Sequence, residues 1–484
     1  MTQGDANRQH ICINILDDDS LLNIFYHSRP PVLFVEGDDD GINLCGGTWE
    51  CEYWWYKISW VCRRWRRLIH ASPSYLGISL VCRSGISLSD MLAHSPPFPL
   101  IIDHIHRFET NPTEVEGRIL LALNHRDRVR CIRLRMQETP SERLMKIIDK
   151  EFPLLEYLYI RPPGMMVLRP DSNLSLPSTL RAPHLRHLVL FNFNFPVGSP
   201  LLSGLVTLSL EDIAPSANFG PNELLQQLSF MPHLETFVIT FFPPLFSQDV
   251  RRELWQIPLS TQCILPNLRW FGFEGRSAYM EAVLPRITMP LLKVTEIVFV
   301  TSHPLTLASS IIFALQSMYK TQNPRLSNVK VKLDKLPITL VVYPQQSTSV
   351  PTLRVDLSRL DVNRILGYTA QLFDGIRTVL TEVEVLTLEG RPLTWGIYRS
   401  VAFFTSLHGI LWPFIQVRTL HLSDGDIVEE LCLFLLPHEG EPTIELLPML
   451  RVLSCPKGTH VGESCRSFLA ARQNAGFPVT ISYR

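Results

Sequence analysis

The sequence has no surplus of charge of either sign. Lysine and arginine together number 45 and aspartate and glutamate 46 among 484 residues, which gives a formal net charge of −1. A protein that binds nucleic acid or an acidic membrane through its overall charge carries a basic surplus. We therefore expect no nucleic-acid partner and no membrane partner.

The ten cysteines are scattered and form no Cys-x-x-Cys pair. Their spacing fits neither a zinc site nor a dense disulfide scaffold, so the simplest setting is a reducing compartment. The first ten residues, Met1–His10, are polar and lack the apolar stretch of a secretory signal. We predict an intracellular protein, cytoplasmic, nuclear or both.

Long apolar runs are also missing. The most apolar window, residues 401–417, is interrupted by Pro413 and several polar residues and falls short of the roughly 20 residues of a membrane span. We interpret it as a buried helix.

Motifs of nucleotide binding and catalysis are lacking as well. The sequence has no Gly-Lys-Ser/Thr phosphate loop, no Gly-x-Ser-x-Gly turn and no His-Glu-x-x-His pair. His104 and His106 are the one close histidine pair, and two ligands without others are typical of a structural role. We predict no metal, no cofactor and no catalytic residues. An enzyme whose site forms only in three dimensions is the least favoured reading.

The N-terminal segment predicts two helices. Acidic and hydroxyl residues, Asp17 to Ser20, precede an apolar stripe of Leu21, Ile24 and Phe25, as at a capped helix start. After a polar loop of about residues 30–53, a second helix is predicted over Trp54–His70. Its stripe falls at steps of four and three residues, on Trp54, Ile58, Val61, Trp65 and Leu68.

These residues resemble an F-box. The similarity lies in Ile13–Leu16, in Leu21–Phe25 and in the Val-Cys-x-x-Trp-x-x-Leu pattern of Val61–Leu68. Together with Trp54–Lys57 and Met91–Pro97, the pattern is similar to the large F-box families of mushroom-forming fungi. In that family the helices bind the Skp adaptor of Skp–cullin–F-box ligases. By resemblance the contacts to the Skp adaptor would be made by Leu16, Leu21, Leu22, Ile24, Phe25, Val61, Trp65 and Leu68.

A phrase of the form Pro-x-Leu-x-x-Leu-x-Leu recurs after this segment. Copies or near variants occupy Pro153–Ile160, Pro183–Leu190, Pro232–Ile239 and Pro266–Phe273. Looser copies include 205–210, 294–299, 383–388, 417–422 and 450–455. Most copies lie about 20 to 34 residues apart, a spacing typical of leucine-rich repeats.

Each phrase alternates as a strand does, and amphipathic helices are predicted between phrases, for example over Pro221–Leu228. The fold class is therefore α/β. We expect an F-box-like helical domain at 11–75, with the internal loop at about 30–53, followed at 76–484 by an irregular leucine-rich-repeat-like solenoid, a horseshoe. The register between about 300 and 383 is unclear, with strands expected near 329–333, 339–343 and 353–357.

The leucines, valines and phenylalanines of the phrases are core residues. Target-binding candidates are the polar and aromatic residues among them, on a strand face expected to be exposed. They are Glu156, Tyr157, Arg186, His187, Glu235, Thr236, Arg269, Trp270, Arg418 and Thr419. Trp270 stands out because an exposed aromatic residue often anchors an interface.

The resemblance implies a non-enzymatic substrate adaptor in ubiquitin-dependent degradation. Its partners would be the Skp adaptor, through it a cullin ligase, and an unidentified target protein. Asp17 stands where the family pattern has proline, and the loop between the helices is unusually long. Both departures favour the alternative, a stand-alone leucine-rich-repeat scaffold with no ligase.

Overall fold

A computed structural model describes most of the chain, in two compact units. The first unit spans Met1–Gly164 and Thr179–Leu185, and the second spans Met165–Ser178 and Arg186–Arg484. The described residues are 16–28, 54–82, 88–94, 96–104, 112–135, 142–162, 174–194, 198–213, 220–241, 261–299, 328–333, 338–343, 353–356, 370–389, 407–436 and 445–484. The predicted loop at about 30–53 lies outside them, and the predicted change of domain near residue 75 lies within the first unit.

The first unit combines helices with a parallel sheet. Its helices are α1 (Asp18–His27), α2 (Trp54–Ser59), α3 (Arg63–Ala71), α4 (Pro73–Leu76), α5 (Leu88–His94), α6 (Pro112–Leu123) and α7 (Glu142–Ile148). Its strands are β1 (Leu80–Cys82), β2 (Leu100–His104), β3 (Val129–Arg135) and β4 (Tyr157–Arg161). The strands pair in that order, each parallel to the next.

The second unit carries a longer sheet. Its strands are β5 (Leu174–Ser175), β6 (His187–Phe191), β7 (Phe193–Asn194), β8 (Thr207–Ile213), β9 (Thr236–Phe241), β10 (Cys263–Ile264), β11 (Trp270–Gly275), β12 (Ile287–Thr288), β13 (Val294–Phe299), β14 (Asn328–Leu333), β15 (Ile338–Tyr343), β16 (Leu353–Asp356), β17 (Val385–Glu389), β18 (Thr419–Leu422), β19 (Val452–Cys455) and β20 (Thr480–Tyr483). Its helices are α8 (Pro221–Leu228), α9 (Ser277–Val283), α10 (Arg377–Leu380), α11 (Asp426–Phe434) and α12 (Glu463–Asn474).

The main sheet of this unit runs β6-β8-β9-β11-β13-β16-β15-β14-β17-β18-β19-β20. Two short parallel pairs, β5 with β7 and β10 with β12, lie outside it. All neighbours in the main sheet are parallel except at β15, which is antiparallel to both β14 and β16. Parallel pairing requires a crossover between strands, and the helices between the phrases supply several of these crossovers.

The recurring phrase forms a strand at every predicted position. In the copy at 232–239, Leu234 and Phe237 are fully buried and Ile239 is nearly so. The leading proline stands before the turn that starts the strand, where a missing amide removes no ladder bond. The three strands expected between 300 and 383 are also present, as β14, β15 and β16. A mixed α/β fold with a largely parallel sheet is confirmed, whereas a leucine-rich-repeat solenoid stays a prediction.

The single helix predicted over Trp54–His70 is wrong. The structure has two helices here, because Cys62 adopts an extended conformation (φ −158°, ψ 169°) between α2 and α3. The Sγ atom of Cys62 accepts a hydrogen bond from the amide of Trp65 and so caps α3. The break leaves Val61 exposed, so the apolar stripe is not continuous.

The apolar window at 401–417 is helical at residues 407–411, and the residues before 407 lie outside the described part. Leu407, Ile410 and Leu411 are buried, as expected for a core helix. In the described segments, no helix is both long and apolar enough to cross a bilayer.

Candidate functional site

The first helix begins on a capping aspartate. Asp17 has an extended backbone, and its carboxylate accepts a hydrogen bond of 2.7 Å from the amide of Ser20. That hydrogen bond lowers the pKa of Asp17, because it stabilises the charged form. A carboxylate at this point also suits the positive end of the helix dipole. The residue that departs from the F-box pattern therefore has a clear structural role.

Three of the predicted Skp-adaptor contacts lie in the interior of the first unit. Leu21 is 0 % exposed, Phe25 is 1 % and Leu68 is 8 %. The rings of Phe25 and Trp65 meet edge to face, with centroids 4.9 Å apart. The helices thus bury part of their apolar stripes within the unit, and these residues support the surface rather than form it.

Two other predicted Skp-adaptor contacts, Ile24 and Val61, are exposed. Ile24 on α1 is 44 % exposed, and Val61 is 60 % exposed between α2 and α3. Trp60, which the sequence did not single out, is 73 % exposed. Leu16, Leu22 and Trp65 are half-buried. A tryptophan and a valine left in water at one helix break are typical of a contact surface.

A polar clamp holds α1 against α3. The Arg64 guanidinium donates to the Asp18 carboxylate at 2.7 and 2.9 Å and to the Leu16 carbonyl at 2.7 Å. A second contact, between α1 and α4, joins the exposed Tyr26 ring to Tyr75, with centroids 5.6 Å apart. The helix bearing Ile24 is thereby fixed relative to α3.

The predicted target-binding residues of the second unit share one edge of its sheet. Arg186, Glu235 and Arg269 each precede a strand, and backbone bonds join their positions through Val206. Arg269 and Glu235 form an exposed ion pair of 3.9 Å. Such a pair contributes at most about 1 kcal/mol to stability.

His187, Thr236 and Trp270 are the first residues of β6, β9 and β11 and form a second row beside that edge. The His187 ring Nδ1 lies 3.0 Å from the Thr207 hydroxyl. Trp270 is half-buried rather than fully exposed, and its indole N–H is buried without an acceptor. Much of the Trp270 side chain is therefore covered by neighbouring residues and is not available to a partner.

Glu156 and Tyr157 belong to the first unit. The Glu156 carboxylate pairs with Arg130 at 2.9 Å. Tyr157 packs on a buried cluster of Val81, Ile101 and Cys131. Tyr157 therefore contributes mainly to the core of that unit.

The strand face expected to be open is closed at β6, β8 and β9. Val189, Ser209 and Val238 occupy that face in register, and all three are buried. Parallel sheets are commonly buried on both faces, and the apolar alternation of a phrase does not reveal this. The expectation of an exposed strand face is wrong for these strands.

The same face carries accessible polar groups farther along the sheet. Thr387 on β17 and His421 on β18 are half-buried neighbours, and Ser482 on β20 is also half-buried, but Ser454 on β19, which lies in register between His421 and Ser482, is buried. Arg418 and Thr419 stand at the start of β18. Only Arg418 and Thr419 were among the predicted candidates. His421 lies within the phrase copy at 417–422, two residues after Thr419 and on the same strand face, but it was not selected from the sequence.

His421 is held neutral. The Arg484 guanidinium lies 2.7 Å from its Nε2, and because arginine only donates, Nε2 accepts and the ring proton is on Nδ1. Burial lowers the pKa of His421, and the nearby positive charge of Arg484 lowers it further. This part of the face therefore presents hydrogen-bonding groups and one fixed positive charge.

Burial disfavours the thiolate form of Cys82 and Cys263. Burial raises the pKa of Cys82 to about 12 and the pKa of Cys263 to about 11, and only a thiolate attacks or binds metal. Within the described ranges, no group of three or more histidine, cysteine, aspartate or glutamate side chains is placed to hold a metal ion.

Comparison with known proteins adds no family assignment: no protein-family model and no curated protein matches the sequence. The surfaces described above therefore carry the functional interpretation alone.

Proposed function

We propose that this chain is a substrate-recognition adaptor of a Skp–cullin–F-box ubiquitin ligase. The observation that carries the proposal is the exposed apolar surface of the N-terminal helices, Ile24, Trp60 and Val61, in a segment whose sequence resembles an F-box. Exposed groups of this kind become buried when a helical partner docks. The proposal places the chain in the cytoplasm or nucleus.

In this proposal the chain does no chemistry. The N-terminal helices bind the Skp adaptor, which brings a cullin ligase, and the edge and face of the second unit bind a target protein. Tethering raises the effective concentration of the target near the ubiquitin-charged enzyme. In this proposal, polar and charged residues at the starts of β6, β9, β11 and β18 determine which target protein binds.

A stand-alone scaffold is the second candidate, and one observation favours it. Leu21, Phe25 and Leu68, which the resemblance assigns to the Skp adaptor, are already buried within the chain. If the helices serve only to complete the first unit, their apolar residues have no further partner.

Co-purification with a fungal Skp adaptor separates the two candidates. We expect the unmutated chain to co-purify and a Trp60→Ser, Val61→Ser variant to lose the adaptor, because both side chains are exposed and their loss leaves no cavity. Phe230→Ser, Leu433→Ser is the matched control, since these side chains are 57 % and 53 % exposed elsewhere in the chain.

Failure of the folded, unmutated chain to bind any Skp adaptor would exclude the ligase proposal and leave the scaffold. Equal binding by the Trp60, Val61 variant would instead show that the contact lies on another surface. Circular dichroism of each variant establishes that the protein is folded.

A further inference from the structure

The amino-terminal edge of the second unit's sheet is positively charged. We define this edge as the residues that immediately precede the parallel strands β6, β8, β9, β11, β13, β17, β18 and β19, namely Arg186, Val206, Glu235, Arg269, Lys293, Glu384, Arg418 and Arg451. Five of these residues are positive and two are negative, a surplus of three positive charges in a chain whose net charge is −1. The charge is therefore concentrated by the fold rather than by composition.

Two arginines stand next to each other on this edge. The amide of Arg451 donates to the carbonyl of Arg418 at 2.9 Å, and the amide of Arg418 donates to the carbonyl of Glu384 at 2.8 Å. Adjacent strands lie about 4.8 Å apart, so the two arginine backbones are fixed at about that distance. Their guanidinium groups carry like charges on neighbouring strands, an arrangement that an anion bound between them would stabilise.

Among the described residues, no anionic side chain pairs with either arginine. Arg418 and Arg451 are exposed, and neither side chain makes a hydrogen bond or ion pair with another described residue. Glu384, on the neighbouring strand, is exposed and is not ion-paired to Arg418. Arg269 differs, because it is paired with Glu235.

Exposed apolar side chains lie in the connections that lead to β18, β19 and β20. Ile415 and Met449, in the connections that lead to β18 and β19, are 36 % and 46 % exposed. Phe477, in the connection that leads to β20, is 50 % exposed. Three consecutive connections therefore each leave at least one large apolar side chain in water. A charged centre with an apolar border can take a peptide that carries both kinds of residue.

The geometry points to a docking site on this edge for an extended acidic peptide of a partner protein, with Arg418 and Arg451 as its two anchors. The site deepens the proposed function, because it would give the target platform its chemical preference. An extended peptide repeats its side chains on one face about every 6.8 Å. Successive acidic side chains on that face therefore suit two long, adjacent guanidinium groups, each of which can bind a carboxylate through two donors.

Preorganisation supports the site. The backbones of both arginines belong to the hydrogen-bonded ladder, and the Thr480 hydroxyl donates to the Arg451 carbonyl at 3.2 Å. On the protein's side of the contact only the freedom of the two arginine side chains is lost on binding, which keeps that part of the entropic cost low.

Fluorescence anisotropy of a labelled glutamate-rich peptide with interspersed leucines, titrated with the full chain, tests the site. We expect saturable binding that weakens as salt is raised and that falls by about tenfold or more in an Arg418→Glu, Arg451→Glu variant. A peptide with every glutamate replaced by glutamine should bind weakly or not at all. No Skp adaptor is present, so failure of the ligase proposal leaves this result unaffected.

Matched variants keep the test specific. Arg126→Glu, Arg143→Glu makes the same change in net charge at exposed, unpaired arginines of the first unit and should bind like the unmutated chain. Arg418→Lys, Arg451→Lys keeps the charge but removes the planar fork, and should bind with intermediate affinity.

The proposal would be overturned if the control variant lost as much peptide affinity as the Arg418, Arg451 variant, or if the Arg418, Arg451 variant lost none. Tighter binding of a single-stranded RNA, with the same loss in the variant, would overturn it in favour of a nucleic-acid site.

Discussion

The junction between α11 and α12 gives a prediction in which one methyl group has opposite effects in two backgrounds. Gly462 is the N-cap of α12, and the Glu429 carboxylate of α11 accepts hydrogen bonds from the amides of Gly462 and Ser464. A Cβ atom added at Gly462 would lie 2.6 Å from Glu429 Cδ and 2.7 and 2.8 Å from its two oxygens. Gly462→Ala therefore displaces the group that caps the helix.

The magnitude follows from two opposing effects. Loss of an N-cap interaction costs about 0.5–2 kcal/mol. Alanine in place of glycine at a compatible backbone conformation stabilises by about 0.4–1 kcal/mol, and Gly462, at φ −80°, is compatible. We expect Gly462→Ala to destabilise α12 by about 0.5 kcal/mol in the unmutated chain, and to stabilise it by about 0.5 kcal/mol when Glu429 is already alanine.

Hydrogen exchange of the α12 amides, read by mass spectrometry, measures the local free energy of opening in all four proteins of this cycle. Gly220→Ala is the control, because Gly220 caps α8 with a similar backbone and has nothing within 4 Å of an added Cβ. The reasoning fails if Gly462→Ala is as harmless as Gly220→Ala, or if its effect is the same with and without the Glu429 carboxylate.

Two further predictions concern the N-terminal helices and the open strand face. Phe25→Ala should lower the free energy of unfolding of the first unit by about 3–5 kcal/mol, whereas the neighbouring Ile24→Ala should change it by less than about 0.5 kcal/mol; urea titrations followed by tryptophan fluorescence would contradict the burial pattern if the two variants unfolded alike. The pKa of His421 is near its ordinary value of 6.5 in the unfolded chain and is lower in the folded protein. Between these two pKa values the unfolded state binds more protons, so the stability of the fold decreases as the pH drops below about 6.5. His421→Gln should make the stability independent of pH in this range. Arg484→Ala should reduce the pH dependence, because it removes a charge that lowers the pKa of His421. If neither variant changes the curve of stability against pH, His421 is not the group responsible.

The strands of the second unit that carry the recurring phrase were predictable because each has its own local signal. A proline, a turn and alternating apolar residues specify a strand within about eight residues, and 232–239 and 266–273 both became parallel strands. The strands β1, β2 and β20 lack the phrase, so no local sequence pattern predicted them. Their pairing depends on neighbours distant in sequence, such as β3 for β2.

The N-terminal error has a similar cause. The stripe of Trp54, Ile58, Val61, Trp65 and Leu68 satisfies a helical period, yet the chain breaks at Cys62. Periodicity reports which residues could share a face and does not report where a backbone turns. The consequence for function is direct: the break exposes Trp60 and Val61, the residues on which the proposed contact depends.

The candidate site was only partly accessible to sequence reasoning. The predicted residues Arg186, Glu235, Arg269 and Arg418 do come together on one edge, since phrases in the same register place equivalent residues side by side. Burial of Val189 and its neighbours could not be seen, because whether a second layer covers a parallel sheet is decided by the whole fold.

The single antiparallel strand has a consequence for how this chain could change in length. Because β13 pairs with β16 and β14 pairs with β17, the meander β14–β15–β16 enters and leaves the sheet between two strands that run in the same direction. Removing it would leave the edges of β13 and β17 facing each other as parallel partners, without reversing either. The meander is thus a unit that could be inserted or deleted as a whole. Its loss would reduce the number of strands between Lys293 and Arg418 but would leave the strand direction at the amino-terminal edge unchanged.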